Sequence, residues 1–466
     1  MEDYIEKALQ FLMDNGACFA DARFQRRVVN SVLAENKELK RYEANSFSGL
    51  GIRALYRGAW GYAATTKLSK EDILTAAKIA LNISKNLSEK QLNEPFEISQ
   101  EVINDNFSLK VRKKLEDISS EERIKLAVES NKLSFINKNI KNSRTIVADF
   151  SEERLIMNTL GTRVKIKIAM VGIGQSVVAK VNDRYEKIFE QKSRCSGFEF
   201  FDKINIENFI VELSKLVTDV LHARAAKAGT YPVVLDPKIV GLFAHEMVGH
   251  ATEGDLILRK ESILQNKLNM KIANENVTII DDGLVDTGYI VPYDDEGTKK
   301  NRTFVIEKGI LKRFLTSLET SIKLGMEKTG NGRAEGIFSA PLVRQTNYFL
   351  NSGDANFEEM IEDIDFGYYL LGRGAEGGEV NVTQGTFTFN TGPSYIIEKG
   401  EVKDLIKSTS ISGNIIDTLK NIELIGKDLE VSTSIFGGCG KEGQLVKVGD
   451  GGPHVKVRQM IVGGIE

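Results

Sequence analysis

At 466 residues the chain is too long for a single core, and 41% hydrophobic with 27% charged residues is the make-up of a multi-domain globular protein, not of a fibre or a disordered linker. Sixty-two Lys and Arg against 65 Asp and Glu leave a net charge of -3, so there is no global basic field with which to hold nucleic acid or an anionic membrane. No stretch approaches the about 18 unbroken apolar residues of a membrane-spanning helix, and the acidic, charge-interrupted start lacks the form of a secretory signal, so a cytoplasmic protein is expected.

Met1 to Asn15 places apolar residues at helical spacing, Val28 to Leu39 and Gly51 to Tyr62 read as strands, and Lys70 to Lys85 returns to a helical period. A polar connector from Asn93 through Pro95 to about Asn106 closes this first α/β unit, residues 1–105. The second unit, residues 106–229, opens with a helix over Ser120 to Lys132, where Ser119 can cap and Glu121 and Glu122 favour the helix start. Strand-like runs at Arg144 to Asp149 and Arg163 to Val171 follow, then an amphipathic helix from Ile206 to Ala228 that ends at Gly229. Residues 226–466 hold 32 of the 41 glycines and six of the seven prolines, the mark of many short strands joined by tight turns, so residues 230–466 read as mostly β. Two segments of this part, Phe304 to Leu315 and Tyr395 to Ile406, match at five of twelve positions and read as hairpins turning at Lys-Gly. The fold class expected is α+β: mixed α/β N-terminal units, then a large β-rich C-terminal domain.

Three cysteines, Cys18, Cys195 and Cys439, are far apart and odd in number, so a disulfide framework is not expected. The chemistry concentrates in one segment. After a buried strand at Tyr231 to Leu235, Asp236 can cap a helix whose first position is Pro237 and which Gly254 can end; that helix carries His245, Glu246 and His250. Two imidazoles can hold zinc, and an adjacent carboxylate can take a proton from the bound water. His245 and His250 are five apart, about 140° around a regular helix, so a straight α-helix would aim them apart. Gly249 allows a π-bulge or a loosened last turn there, and a local distortion is predicted.

Catalytic zinc takes three protein ligands, so a third donor must come from elsewhere. Cys439, His454, Glu253, Asp255, His222, Cys18 and Cys195 are candidates, with Cys439 foremost because its glycine-flanked loop can approach another element closely. Glu253 and Asp255 could orient the imidazoles. Arg344 is a weaker candidate for pairing with a substrate carboxylate, a structural ion pair being the plainer expectation.

These residues resemble the TldD/PmbA (TldE) family of metallopeptidases, in its TldD-type, metal-bearing branch. The similarity is carried by His245-Glu246-Met-Val-Gly-His250-Ala-Thr-Glu253-Gly-Asp255 and, in order, by Asp281-Asp282-Gly283, Asp294-Asp295-Glu296-Gly297-Thr298, Thr329-Gly330-Asn331-Gly332-Arg333, Arg344-Gln345-Thr346-Asn347 and Gly438-Cys439-Gly440-Lys441-Glu442-Gly443-Gln444. Thr252 departs from the apolar residue expected between Ala251 and Glu253. The resemblance implies a zinc peptidase with His245, His250 and Cys439 as ligands and Glu246 as general base. It also implies a closed dimer, either a homodimer or a heterodimer with a TldE-type subunit, whose chamber admits extended or unfolded peptides. His and thiolate donors also accept iron or cobalt. The alternatives are a non-catalytic subunit that forms the chamber or holds peptides, whose hallmark would be loss of His245, Glu246 or His250, and a zinc amidase acting on small molecules.

Overall fold

Apolar alternation between Phe19 and Arg194 is satisfied by long antiparallel strands. In the computed structural model, which describes residues 1–90, 95–375 and 377–463, α1 (Glu2–Asp14) leads to β1 (Phe19–Glu35), β2 (Glu38–Tyr56), β3 (Ala59–Thr65) and α2 (Lys70–Lys90). The strand expected over Val28 to Leu39 is therefore the end of β1, a turn and the start of β2, and the one over Gly51 to Tyr62 crosses from β2 into β3. The physical reason is two tight hairpin turns. Asn36 and Lys37 have φ of 51° and 73°, and Arg57 and Gly58 have 47° and 79°. Both central residues of a type I′ turn need positive φ, and here three of the four are not glycine, so the turns are not conspicuous in the sequence.

The chain continues through β4 (Asn104–Ser108), α3 (Ser120–Lys132), β5 (Ile140–Asn158), β6 (Arg163–Val181), β7 (Arg184–Arg194), α4 (Phe200–Lys203) and α5 (Ile206–Val220). The connector expected from Asn93 begins outside the described residues. One seven-stranded sheet, ordered β3-β2-β1-β5-β6-β4 with β7 also on β6, unites the stretches read from sequence as two units, because β1 pairs with β2 on one side and β5 on the other. Helices α1 and α2 cover it through Ile5, Leu9, Leu12, Ile73 and Ala77, and α5 packs Leu213 and Val217 on Val177 and Ile188. Helix α3 starts as expected: Ser119 and Glu122 form a reciprocal capping box. Helix α5 stops short of Ala228, leaving His222 exposed beyond its end.

β8 (Gly229–Leu235) enters a nine-stranded sheet, antiparallel to Val455–Gly463 and parallel to Phe366–Leu370. A second, six-stranded sheet places Asn347–Leu350 beside Gly449–Gly452, with Glu430–Thr433 at its edge. α6 (Pro237–Phe243) follows β8, capped by Asp236, whose carboxylate accepts from the Ile239 amide at 2.8 Å. Its Ile239, Val240 and Phe243 share one apolar cluster with Val233, Leu370 and Val457 of the larger sheet and Ile279 and Leu350 of the smaller, so the helix is clamped between them. The two matching segments are hairpins turning at Lys308-Gly309 and Lys399-Gly400, as their sequences predicted. The architecture is α+β with a β-rich C-terminal part.

Buried charges join the N-terminal sheet to the C-terminal part. Arg53 bridges Asp21 and Glu296, at 2.5 and 2.9 Å, and Arg23 donates to the carbonyls of Gly336 and Ser339, both at 2.8 Å. Among the described residues no helix is long and apolar enough to cross a membrane.

Candidate metal centre

Beyond Phe243 the helix changes pitch. Ala244–Gly249 form a π-helical turn and His250–Thr252 a 3-10 turn, with the His250 amide donating to the His245 carbonyl. The extra residue in the turn cancels the divergence of a five-residue spacing on an α-helix. The imidazoles come to lie 5.2 Å apart between ring centres, inclined at 85°. Gly249 is where this turn needs a glycine, because a Cβ there would stand 1.9 Å from Oε1 of Gln345. Gly254 does not end the helix as expected; it opens α7 (Gly254–Arg259) after Glu253 turns extended.

Cys439 arrives from the opposite end of the domain, on the strand Cys439–Lys441, which forms a hairpin with Gln444–Val446. Donor atoms of His245, His250 and Cys439 lie within 4.8 Å of one another. The Cys439 sulfur is 3.3 Å from His250 Nε2, while His250 Nδ1 donates to Glu253 Oε2 at 3.0 Å, leaving Nε2 as the nitrogen that faces the cluster. Glu246, partly exposed, holds one carboxylate oxygen 4.0 Å from His245 Nε2 and the other 3.8 Å from His250 Nε2. With only the protein's own charges present, these groups stabilise one another's ionised forms. Burial opposes charge on His245, yet the Cys439 sulfur and Glu246 outweigh it and lift its pKa to about 9. Burial likewise raises the Cys439 thiol, but the two imidazoles hold it well below its ordinary value.

This donor set fits a transition-metal cation. It is compact, contains two imidazoles and a sulfur predisposed to ionise, and one ring nitrogen, His245 Nδ1, is buried with no hydrogen-bond partner.

The acidic residues are held by Lys441, which the sequence places only within a glycine-rich segment that carries the family resemblance. Lys441 Nζ donates to Glu253 Oε2 at 3.0 Å, to both oxygens of Asp255 at 2.7 Å and to the Val343 carbonyl at 3.0 Å. Lys441 follows Cys439 by two positions on a strand, so the two share a face; that spacing was the available signal. Burial would raise the Glu253 carboxyl, but His250 and Lys441 bring it down to about 2. Arg344 stands elsewhere than a substrate contact would require. It is fully buried, with Nη2 donating to the Cys439 carbonyl at 2.5 Å. Asp450 lies at the same cavity as His245 and Glu246, and burial pushes its carboxyl above the ordinary range.

The other candidate donors are elsewhere. Cys18 donates to the Leu55 carbonyl, Cys195 is buried against the Ile290 amide, and His454 sits between Asp428 and Tyr369. Among the described residues no other three His, Cys, Asp or Glu side chains gather in this way. The cavity beside the cluster, about 280 Å³, shares Gln191, Lys238, Ser432 and Thr433 with a larger groove of about 730 Å³.

Comparison with known proteins agrees along the whole chain. Residues 228–464 match the profile of the PmbA/TldA metallopeptidase C-terminal domain, residues 20–84 that of domain 1, and residues 113–227 that of the central domain. A protein of Methanothermobacter thermautotrophicus named metalloprotease is 33% identical over 463 residues, 99% of each chain. A zinc metalloprotease TldD homolog of Saccharolobus solfataricus is 32% identical over 467 residues, covering both chains fully. The crystal structure of TldE from Thermococcus kodakarensis shares the fold, with a TM-score of 0.78 at 21% identity over 99% of this chain and 100% of that one. The chain thus belongs to the PmbA/TldD family of metallopeptidases.

Proposed function

We propose that this chain is a zinc-dependent peptidase that hydrolyses extended or unfolded peptides, with His245, His250 and Cys439 as ligands and Glu246 as general base. The observation that carries the reading is the convergence of the three donors within 4.8 Å, with the Glu246 carboxylate reaching 3.8–4.0 Å from both imidazoles. Zinc held by His245, His250 and Cys439 would supply a water of lowered pKa and Lewis-acid polarisation of a carbonyl. Glu246 faces the cavity, where its carboxylate accepts the proton of the attacking water and returns it to the departing amine. Glu253 orients His250 through Nδ1 and is itself neutralised by Lys441. The groove continuous with the cavity offers room for an extended chain. The reading extends to a two-subunit assembly, a homodimer or a heterodimer with a TldE-type partner, enclosing the site in a chamber; the shared fold with TldE supports it.

The test is zinc content together with digestion of an unstructured peptide, with and without chelator. Glu246→Gln is expected to keep its metal and lose about 10²–10⁴-fold in rate. Full activity in that variant would remove Glu246 from the mechanism, and wild-type zinc content in Cys439→Ser would remove Cys439 from the ligands. Zinc without any cleavage would point to the non-catalytic subunit. Native mass spectrometry reads metal and subunit composition together.

A further inference from the structure

Adjacent residues on one short segment each grip the main chain of a different donor. Arg344 Nη2 donates to the carbonyl of Cys439, and Gln345 Nε2 donates to the carbonyl of His245 at 3.1 Å. Both side chains are fully buried. Among the described residues no carboxylate pairs with Arg344, whose guanidinium is instead directed at the carbonyls of Cys439 and, at 3.4 Å, Gln444. Burying a guanidinium with no carboxylate in direct contact is costly, so such an arrangement is expected where the cation performs a task. Here it ties down both strands of the Cys439 hairpin.

Gln345 acts at the other donor. Its amide occupies the space that a Cβ on Gly249 would fill. It donates to the same His245 carbonyl that receives the His250 amide in the π-turn, so it reinforces the pitch that brings the two imidazoles together. The dipeptide is anchored in turn. The Arg344 amide donates to the Asn331 carbonyl at 2.9 Å, Asn331 Nδ2 donates back to the Arg344 carbonyl at 2.8 Å, and the Thr346 amide donates to Asp281 at 2.7 Å. Arg333 adds a bond to the Gln345 carbonyl.

We infer that Arg344 and Gln345 form one positioning element that fixes the Cys439 sulfur relative to the imidazoles of His245 and His250, so that a single rigid dipeptide sets the spacing between donors far apart in sequence. This rests on the reading of the three residues as a metal centre.

The experiment uses the full-length protein and two variants of similar volume, Arg344→Met and Gln345→Met, with Arg344→Lys as the conservative partner. Zinc dissociation constants are measured by chelator competition, and the cobalt(II)-loaded proteins are compared by the sulfur-to-cobalt charge-transfer absorption, with circular dichroism confirming the fold. Each methionine variant is expected to bind zinc about 10–100-fold more weakly with an altered sulfur-to-cobalt band, the scale of losing a group that orients ligands. Arg344→Lys should fall between Arg344→Met and the wild type. Folded variants with the wild-type constant and spectrum would overturn the inference alone. A wild-type protein that takes up neither zinc nor cobalt would overturn the metal reading and this inference with it. If Arg344→Met does not fold, Gln345→Met decides by the same comparison.

Discussion

Lys441→Met removes the cation that holds Glu253 and Asp255, and the structure gives the size of the effect. The lysine side chain is 7% exposed, Glu253 is 0% and Asp255 17% exposed, so two largely buried carboxylates would lose the cation they share, Glu253 keeping only its bond to His250. Breaking one buried pair costs about 3–5 kcal/mol. Taking about 3 kcal/mol and the about 2–4 °C per kcal/mol of a domain near 200 residues gives a fall of about 6–12 °C in the unfolding midpoint of the C-terminal part. The assay is calorimetry with chelator present, which removes metal binding from the comparison. A second variant sharpens it. Lys441→Met combined with Asp255→Asn deletes one of the two stranded charges and should recover part of the loss, a non-additivity expected of groups in contact. A shift below about 2 °C in the single variant, with no recovery in the double, would show that water already solvates these carboxylates and that the lysine is not their support.

Other outcomes follow from groups remote from the donors. Glu152 is buried, and although burial raises its carboxyl, Arg154 and Arg27 outweigh that and hold it below the ordinary 4.5. A depressed carboxylate adds stability above its unfolded pKa and loses it as pH falls. Glu152→Gln should therefore be less stable near neutrality, with the gap to wild type closing below about pH 4.5 in urea titrations; a gap independent of pH refutes the ionic role. At Gly241 a Cβ would stand 2.7 Å from the Gly451 amide nitrogen and 2.8 Å from Asp450. Gly241→Ala should cost about 1–3 kcal/mol by overpacking and lower zinc affinity by shifting α6; unchanged denaturant midpoints would mean that the strand Gly449–Gly452 yields freely.

The parts of the site that could be read from the sequence are those with a local signature. The five-residue spacing of His245 and His250, joined to Gly249, called for a distorted helix, and the π-turn is that distortion. Asp236 and Pro237 announced the helix start. Cys439 could be ranked first among donors by chemistry and flexibility, but its approach to the imidazoles depends on sheet pairings that no short window contains. Gln345 lies in one of the segments that carry the family resemblance, but its task, a single bond to a main-chain carbonyl, could not be read from the sequence, where a glutamine in a buried stretch looks like any other. Strand limits around Asn36-Lys37 and Arg57-Gly58 were missed for the same kind of reason: positive φ at three residues other than glycine is imposed by the strands they join. The continuity of the N-terminal sheet was hidden because β1 meets β5 only after more than a hundred intervening residues.

The separation of the donors along the chain also sets a timetable. The π-turn can form as soon as its own helix packs, but the sulfur reaches it only when a hairpin nearly 190 residues later has docked. Closing so large a loop is among the slower events in folding. The three-donor cluster would therefore be completed late, so that, on the proposed reading, an immature chain carries two histidines and a glutamate but not yet the full set of ligands.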